Sequence, residues 1–185
     1  LSSSSAASDV YKRQDHWFPN FPEVTGDSRR MNCNHGVSVI ADAWYKGVRD
    51  FDLQKAYTYT KAAIEEKTLA PWSSAKAGWI DRFYKEKGYI PSLASGEQET
   101  VPEVNSFEKR QSVAVTLGTA YDQWCLSRIA SALGLEKEAD HYVSCSYNYR
   151  NLFNPQTSFF PVSYTHLTLP AKRKQRLDLS VGRSA

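Results

Sequence analysis

The segment His35-Gly-Val-Ser-Val-Ile-Ala-Asp-Ala-Trp-Tyr-Lys-Gly-Val-Arg-Asp-Phe-Asp52 carries the clearest helical pattern in the chain. Its apolar residues recur at steps of three and four, which places them on one stripe of a helix; they are Val37, Ile40, Ala41, Trp44 and Val48. Gly47 loosens the end of this helix, and Asp50 or Asp52 can cap the next one. The segment therefore predicts a helical hairpin with one face in the core.

Outward from this segment, the same periodicity predicts four more helices. Their expected spans, with the first helix included, are 37–48, 53–67, 74–87, 107–133 and 135–153. Ser73 or Ser74 can cap the third helix, and Gly88 can end it. The fourth helix is the strongest, with a stripe made of Val113, Leu117, Ala120, Tyr121, Trp124 and Ile129.

The segments between these helices have loop composition. Residues 15–34 contain two prolines and a Gly-Asp-Ser turn, which indicates a loop or a short strand, and residues 92–105 are polar and indicate a loop. Five helices with mostly short connections and no alternating strand pattern predict an all-α fold of antiparallel helical hairpins. All five tryptophans fall between residues 15 and 161, so a packed interior is expected there.

Four motifs in collinear order resemble glycoside hydrolase family 92, the exo-α-mannosidases. Residues 34–52 are similar to the family's G-D-H-x-x-S-V-I-A-D-A-Y-x-K-G-x-x-x-F-D run, with Asn34 where Asp is common. Residues 17–22 resemble its W-L-P-x-F-P segment, and residues 148–157 its N-Y-x-N-L-F-D-P-x-T. The run Gln111-Ser-Val-Ala-Val-Thr-Leu-Gly-Thr-Ala-Tyr-Asp-Gln-Trp-Cys-Leu126 resembles E-S-V-S-K-T-L-E-Y-A-Y-D-D-W-C-I, with Gln111 and Gly118 where Glu is common.

The resemblance implies an architecture and an activity. In the family these helices belong to a six-hairpin (α/α)6 toroid, of which this chain holds only part. The family enzymes hydrolyse terminal α-mannosides of glycans with inversion and depend on Ca²⁺, and they suggest a periplasmic or secreted, bacterial-type protein. His35 is carried over as a candidate sugar contact in the substrate pocket. The alternative is that His35 stands at a helix N-terminus and bonds local backbone.

The catalytic carboxylates that the resemblance implies are missing from this chain. Inversion needs a carboxylic acid and a carboxylate roughly 6.5–9.5 Å apart. In the family they belong to E-G-N-A-W-Q and G-N-E-D-C-G stretches, and neither stretch occurs here. The carboxylates that are present give no substitute. Asp42 and Asp122 lie on apolar-rich helices, where a buried Asp is more commonly a structural residue bonded to a helix end or an Arg. No partner fixes the geometry of Glu97, Glu99 or Glu108. We therefore expect a fragment without catalytic residues, inactive by itself.

No metal site is expected within the chain either. Ca²⁺ takes about six to eight oxygen ligands, and no close Asp/Asn cluster supplies them, so calcium is expected only in the full-length enzyme. Cys33, Cys125 and Cys145 are widely spaced and lack a C-x-x-C pair, which indicates free, mostly buried thiols.

The two ends of the chain are related to each other through their coding DNA. Residues 4–14 can be written in codons whose reverse complement, read in another frame, encodes residues 162–170. Untrimmed library-adapter DNA explains this, so residues 1–14 and 162–185 are expected to be adapter-derived and disordered, with the family domain at residues 15–161. A Ser-rich linker and a basic tail are the compositional alternative.

The ends also determine the charge of the chain. They supply seven Lys and Arg against two Asp, so the net charge of +3 becomes about −2 for residues 15–161. The basic cluster at residues 172–176 is therefore not taken as a nucleic-acid or membrane-surface site. No segment is apolar enough to cross a bilayer. We expect neither a nucleic acid nor a membrane as partner.

A second class of function stays open from the sequence alone. Stacked helix pairs with aromatic faces also form helical-repeat interaction modules that have no catalytic activity. No internal period of about 34–47 residues is visible, which counts against a repeat protein. Sugar binding would favour the mannosidase interpretation, and a defined protein partner would favour the repeat module.

Overall fold

The computed structural model describes residues 17–23, 26–27, 33–94 and 96–160, without the side chains of residues 22, 23, 26 and 27. The predicted adapter-derived segments, 1–14 and 162–185, lie outside the described residues. In chain order the elements are β1 (Pro22–Glu23), β2 (Gly26–Asp27), α1 (Gly36–Tyr45), α2 (Leu53–Glu65), α3 (Trp79–Lys87), α4 (Ser112–Ala132), α5 (Glu136–Ser146) and a 3₁₀ helix (Tyr147–Leu152). Apart from the two-residue strands, which pair antiparallel in the predicted N-terminal loop, these elements are helical. The all-α prediction is confirmed.

The first helical hairpin, α1–α2, forms as the sequence predicts. Gly47 ends the first helical segment with a φ of 89°. Asp52 caps α2, because its Oδ1 accepts a hydrogen bond of 2.9 Å from the Lys55 backbone N–H. Val37 and Ala41 are buried on the inner face of α1.

Helix α3 begins later than the sequence predicts. Residues 74–78 are not helical, because Lys76 pairs with Lys67 in an isolated antiparallel bridge. Gly78 precedes the helix and Asp81 supplies the cap, so the prediction of a Ser73 or Ser74 cap is wrong. Gly88, with a φ of 75°, ends the helix as predicted.

The remaining helices lie close to their predicted spans. Helix α4 begins at Ser112, since residues 107–111 form a turn and irregular backbone, and the predicted last helix divides into α5 and the 3₁₀ helix. Glu138 on α5 accepts hydrogen bonds from the Tyr57 hydroxyl and from the Lys61 Nζ, the latter at 2.7 Å. These contacts attach α5 to α2.

Two apolar clusters form the interior of the part of the chain that the structure describes. The larger one joins α1, α2, α4 and α5, with Val37, Tyr57, Leu126, Ile129 and Tyr142 among its members. The smaller one packs α3 and the loops around it against the start of α4, and contains Leu69, Ile80, Tyr84, Ile90 and Val115. No helix among the described residues has the length and apolar content needed to cross a bilayer.

Candidate functional site

Asp122, in the middle of α4, holds the loop that leads into α1. Its side chain is 1 % exposed, and each of its oxygens makes one hydrogen bond of 2.6 Å. Oδ2 accepts from the Asn34 backbone N–H, and Oδ1 pairs with the His35 ring Nδ1. The Asn34 backbone N–H can only donate a hydrogen bond. When the His35 ring nitrogen also donates, both oxygens of Asp122 act as acceptors, which suits an ionised carboxylate. The His35 ring is thereby fixed in orientation.

The same contact changes the acid–base properties of both groups. The hydrogen bond to Asp122 and its charge raise the pKa of His35 above its ordinary value of 6.5, against a smaller opposing effect of burial. Burial raises the pKa of Asp122, and the hydrogen bonds from His35 and Asn34 oppose that rise. The His35 side chain is 46 % exposed, and Nε2 has no hydrogen bond to any residue that the structure describes. This nitrogen can meet a ligand.

A small polar cavity lies beside this loop. It has a volume of about 10 Å³, enough for one water molecule. Its lining consists of Asn20, Cys33, Asn34, Lys67, Thr68, Leu69, Ala70, Trp72 and Ser73. The side-chain Nδ2 of Asn20 donates to the Cys33 carbonyl at 2.7 Å. The Oδ1 atoms of Asn20 and Asn34 are buried and have no hydrogen-bond partner within the described part of the chain.

Two residues of the cavity wall have strained backbone. Cys33 has a φ of 64° and Trp72 a φ of 59°, in the left-handed region that side chains rarely adopt. Such residues cost on the order of 1–3 kcal/mol each and cluster at ligand sites. The cavity therefore combines unpaired acceptors with a strained wall, as ligand sites often do.

The glutamates considered as catalytic candidates are each bound to local structure. Glu99 makes a bidentate ion pair with Arg110, at 2.6 and 2.8 Å, and these hydrogen bonds lower the pKa of Glu99. Glu97 accepts from the Ala94 backbone N–H at 2.9 Å, and Glu108 accepts from the Gln111 side chain. None of the three lines the cavity. Each of them is held by a nearby residue of the chain.

The remaining candidates give no metal centre. Asp42 is exposed and pairs with Lys46 at 2.8 Å. No group of three His, Cys, Asp or Glu side chains that could hold a metal ion occurs among the described residues. The three cysteines are free, as predicted, and burial raises the pKa of Cys33 to about 12 and of Cys125 to about 11, so both remain thiols.

The sequence analysis selected some of these residues and passed over others. It selected His35, and the predicted alternative of a backbone bond by its ring is not what the structure shows, since the ring bonds Asp122. It treated Asp122 as a structural residue, and missed Asn20, Lys67 and Trp72. Asn20 lies in the motif at residues 17–22, but nothing local marks it as a site residue. No motif quoted from the sequence contains Lys67 or Trp72, and the cavity joins the loop before α1 to the loop before α3.

The comparison with family models matches residues 3–174 to the glycosyl hydrolase family 92 catalytic domain. The chain belongs to glycoside hydrolase family 92. A relative described as an uncharacterized secreted glycosidase, from Arthroderma benhamiae, is 28 % identical over 155 residues, which cover 82 % of this chain and 18 % of that protein.

Solved structures of family 92 enzymes share the fold. An inverting mannosidase from Bacteroides thetaiotaomicron has a TM-score of 0.65 and 28 % identity, over 84 % of this chain and 19 % of that one. A family 92 α-mannosidase of the same organism, solved in complex with mannoimidazole, has a TM-score of 0.64 and 23 % identity, over 85 % and 18 %. The chain spans about a fifth of the length of these relatives.

Proposed function

We propose that this chain forms part of the substrate-binding wall of an α-mannosidase that hydrolyses terminal α-mannosides of glycans with inversion. The family assignment supports a glycosidase, and the description of one structural neighbour as an inverting mannosidase supports the finer activity. The observation that carries the proposal is His35, which has one ring nitrogen fixed on buried Asp122 and a half-exposed ring. Membership of a glycosidase family favours this function over a helical-repeat interaction module.

The geometry gives His35 a definite role. Because Nδ1–H donates to Asp122, Nε2 is the nitrogen left for a sugar hydroxyl. It accepts a hydrogen bond when the ring is neutral and donates one when the ring is protonated, and Asp122 favours the protonated form. His35 thus binds and orients a hydroxyl group and takes no part in bond cleavage.

The chemical step needs groups that this chain does not supply. An inverting glycosidase places an acid over the leaving oxygen and a base beside water on the opposite face. The three candidate glutamates, Glu97, Glu99 and Glu108, are bonded to Ala94, Arg110 and Gln111 respectively. In our proposal the acid and base therefore belong to the full-length protein, and the chain alone is inactive.

Calcium and location belong to the same proposal. The described carboxylates do not fit a calcium site, because no three of them converge, and no step here is derived through the ion. We place the calcium requirement in the full-length enzyme. The secreted description of the Arthroderma relative supports a periplasmic or secreted location.

Titration of the full chain with α-linked mannobiose tests the binding role. Substitution of His35 by Ala is expected to weaken binding by about tenfold or more, the usual effect of losing one hydrogen bond to a charged group. Asp42→Asn, an exposed change on the same helix, is the control and should bind as the unsubstituted chain does. Equal binding by His35→Ala and the unsubstituted chain would contradict the proposal.

A further inference from the structure

We propose that Trp72 and Phe107 form a stacking platform for a pyranose ring of the bound glycan, which inserts one hydroxyl into the adjoining cavity. This inference rests on the proposed function and adds to it a second binding element, on a different loop from His35. The platform lies on residues that neither the family match nor the motifs single out.

The two rings are exposed where large rings are usually covered. Trp72 is 42 % exposed and Phe107 is 80 % exposed, and their centroids lie 6.4 Å apart with the planes tilted by 41°. Exposed aromatic surface of this kind marks interaction sites when it adjoins polar groups. The C–H face of a pyranose is apolar and its rim carries hydroxyls. A pyranose therefore complements an aromatic side chain that lies beside hydrogen-bond acceptors.

The backbone holds Trp72 in place. The residue has a φ of 59° and follows Pro71, which is fully buried. The loop around it is closed by the Lys67–Lys76 bridge, and Asp81 fixes it by accepting from the backbone N–H groups of Leu69 and Gly78, both at 2.6 Å. A strained residue persists only where its surroundings impose it, and such residues occur at ligand clamps.

The cavity determines which part of a sugar can enter. Asn34 is 6 % exposed and lines the cavity together with Trp72, and its Oδ1 has no partner among the residues that the structure describes. The Oδ1 of Asn20 is unpaired in the same way. A volume of about 10 Å³ admits one hydroxyl oxygen but not a ring, so the ring stays outside, against Trp72. A hydroxyl there donates to an unpaired amide oxygen.

Indole resonances of the five tryptophans in the full chain provide the test. With ¹⁵N-labelled protein, α-linked mannobiose is expected to shift the Trp72 signal most. Trp72→Gly removes the ring at a φ that glycine accepts freely, so the fold is preserved, and it should weaken binding by about tenfold or more. Trp72→Phe should retain most of the affinity. The control is Trp124→Ala, at a tryptophan of similar exposure on α4 that does not line the cavity.

The outcomes separate this inference from the proposed function. If Trp72→Gly binds mannobiose as the unsubstituted chain does while His35→Ala fails, the platform is refuted and the sugar-binding function stands. If Trp124→Ala loses binding and Trp72→Gly does not, the sugar stacks elsewhere and the inference is wrong. If the unsubstituted chain shifts no indole signal and binds no mannobiose, both fail. Loss with Trp72→Gly, together with an unchanged melting temperature, supports the platform.

Discussion

At the scale of single residues, Gly118 shows how closely the loop before α1 approaches α4. A Cβ placed on Gly118 would lie 2.3 Å from the Cys33 Sγ and 3.3 Å from the His35 Cε1. The family segment that residues 111–126 resemble commonly has Glu at this position. The close packing of Gly118 against Cys33 therefore departs from the family's pattern at this point. The sequence shows the departure, but only the structure shows that Cys33 fills the space.

Substitution of Gly118 by Ala should therefore destabilise the chain, although Gly to Ala within a helix is usually stabilising. Overpacking of a buried contact costs roughly 1–3 kcal/mol, which outweighs the gain of about 1 kcal/mol in helix propensity. Cys33→Gly removes the clashing side chain and suits the φ of 64°. The double variant should unfold in urea at a higher concentration than the sum of the single effects predicts. Additive effects would show that the two residues are independent.

The pair of His35 and Asp122 makes stability depend on pH. The folded-state pKa of His35 is raised above 6.5. The contribution of protonated His35 to the free energy of unfolding is therefore fully present below pH 6.5 and is lost as the pH rises through the folded-state pKa. The urea midpoint of the unsubstituted chain should fall as the pH rises from 6.5 through the folded-state pKa of His35. His35→Ala should show a smaller fall between the same pH values. A parallel pH dependence in the two proteins would contradict the ion pair.

At the scale of elements, helix α4 shows where sequence periodicity succeeds and where it fails. The span of the helix is close to the prediction, and Ala120 and Ile129 are buried as expected. Tyr121 and Trp124, also placed on the buried stripe, are 51 % and 47 % exposed. The buried face instead includes polar residues, among them Thr116, Thr119, Asp122, Gln123 and Ser127.

Two residues of the polar face of α4 have hydrogen-bond partners on other elements. The Thr116 hydroxyl accepts from the Ile90 backbone N–H at 2.9 Å, and the Gln123 Oε1 accepts from the Tyr84 hydroxyl at 3.0 Å. A buried polar group is stable when it is hydrogen-bonded, and such long-range partners leave no periodic signal in the sequence. Hydrophobic patterning therefore predicts the helix but not its orientation.

The start of α3 gives a prediction at the same scale. Asp81 is buried, and its two oxygens accept from the backbone N–H groups of Leu69 and Gly78. Asp81→Ala leaves both donors without their partner and should reduce the free energy of unfolding by roughly 2–4 kcal/mol. Asp42→Ala, which removes an exposed pair on α1, should cost less than about 0.5 kcal/mol. Equal effects in urea unfolding would show that Asp81 is not a structural cap.

At the scale of the whole molecule, the chain is expected not to hydrolyse α-mannosides. Transition-state stabilisation in an inverting enzyme requires a positioned acid and base together, and binding alone cannot replace them. The chain incubated with Ca²⁺ and mannobiose should release no mannose above a no-protein control, while the full-length protein should. Turnover by the chain would mean that a described carboxylate acts in catalysis, and Glu97, Glu99 and Glu108 would be the first to substitute.

The exposed aromatic face of α4 gives the last prediction. Tyr121 and Trp124 stack at a centroid distance of 6.2 Å, and the neighbouring Tyr45 is 53 % exposed, with its hydroxyl bonded to the Arg128 carbonyl. This chain spans about a fifth of its relatives, and we expect the rest of the helical domain to cover this face in the full-length protein. Exposed apolar patches of this kind promote association.

The isolated chain should therefore self-associate through that face, and Trp124→Lys should reduce the association because it places a charge in the patch. Tyr147→Lys, at a residue 47 % exposed in the 3₁₀ helix, is the matched control and should change association less. Light scattering at increasing protein concentration measures the effect. A chain that stays monomeric throughout, or that responds equally to both substitutions, would show that the α4 face is not the surface the full-length domain covers.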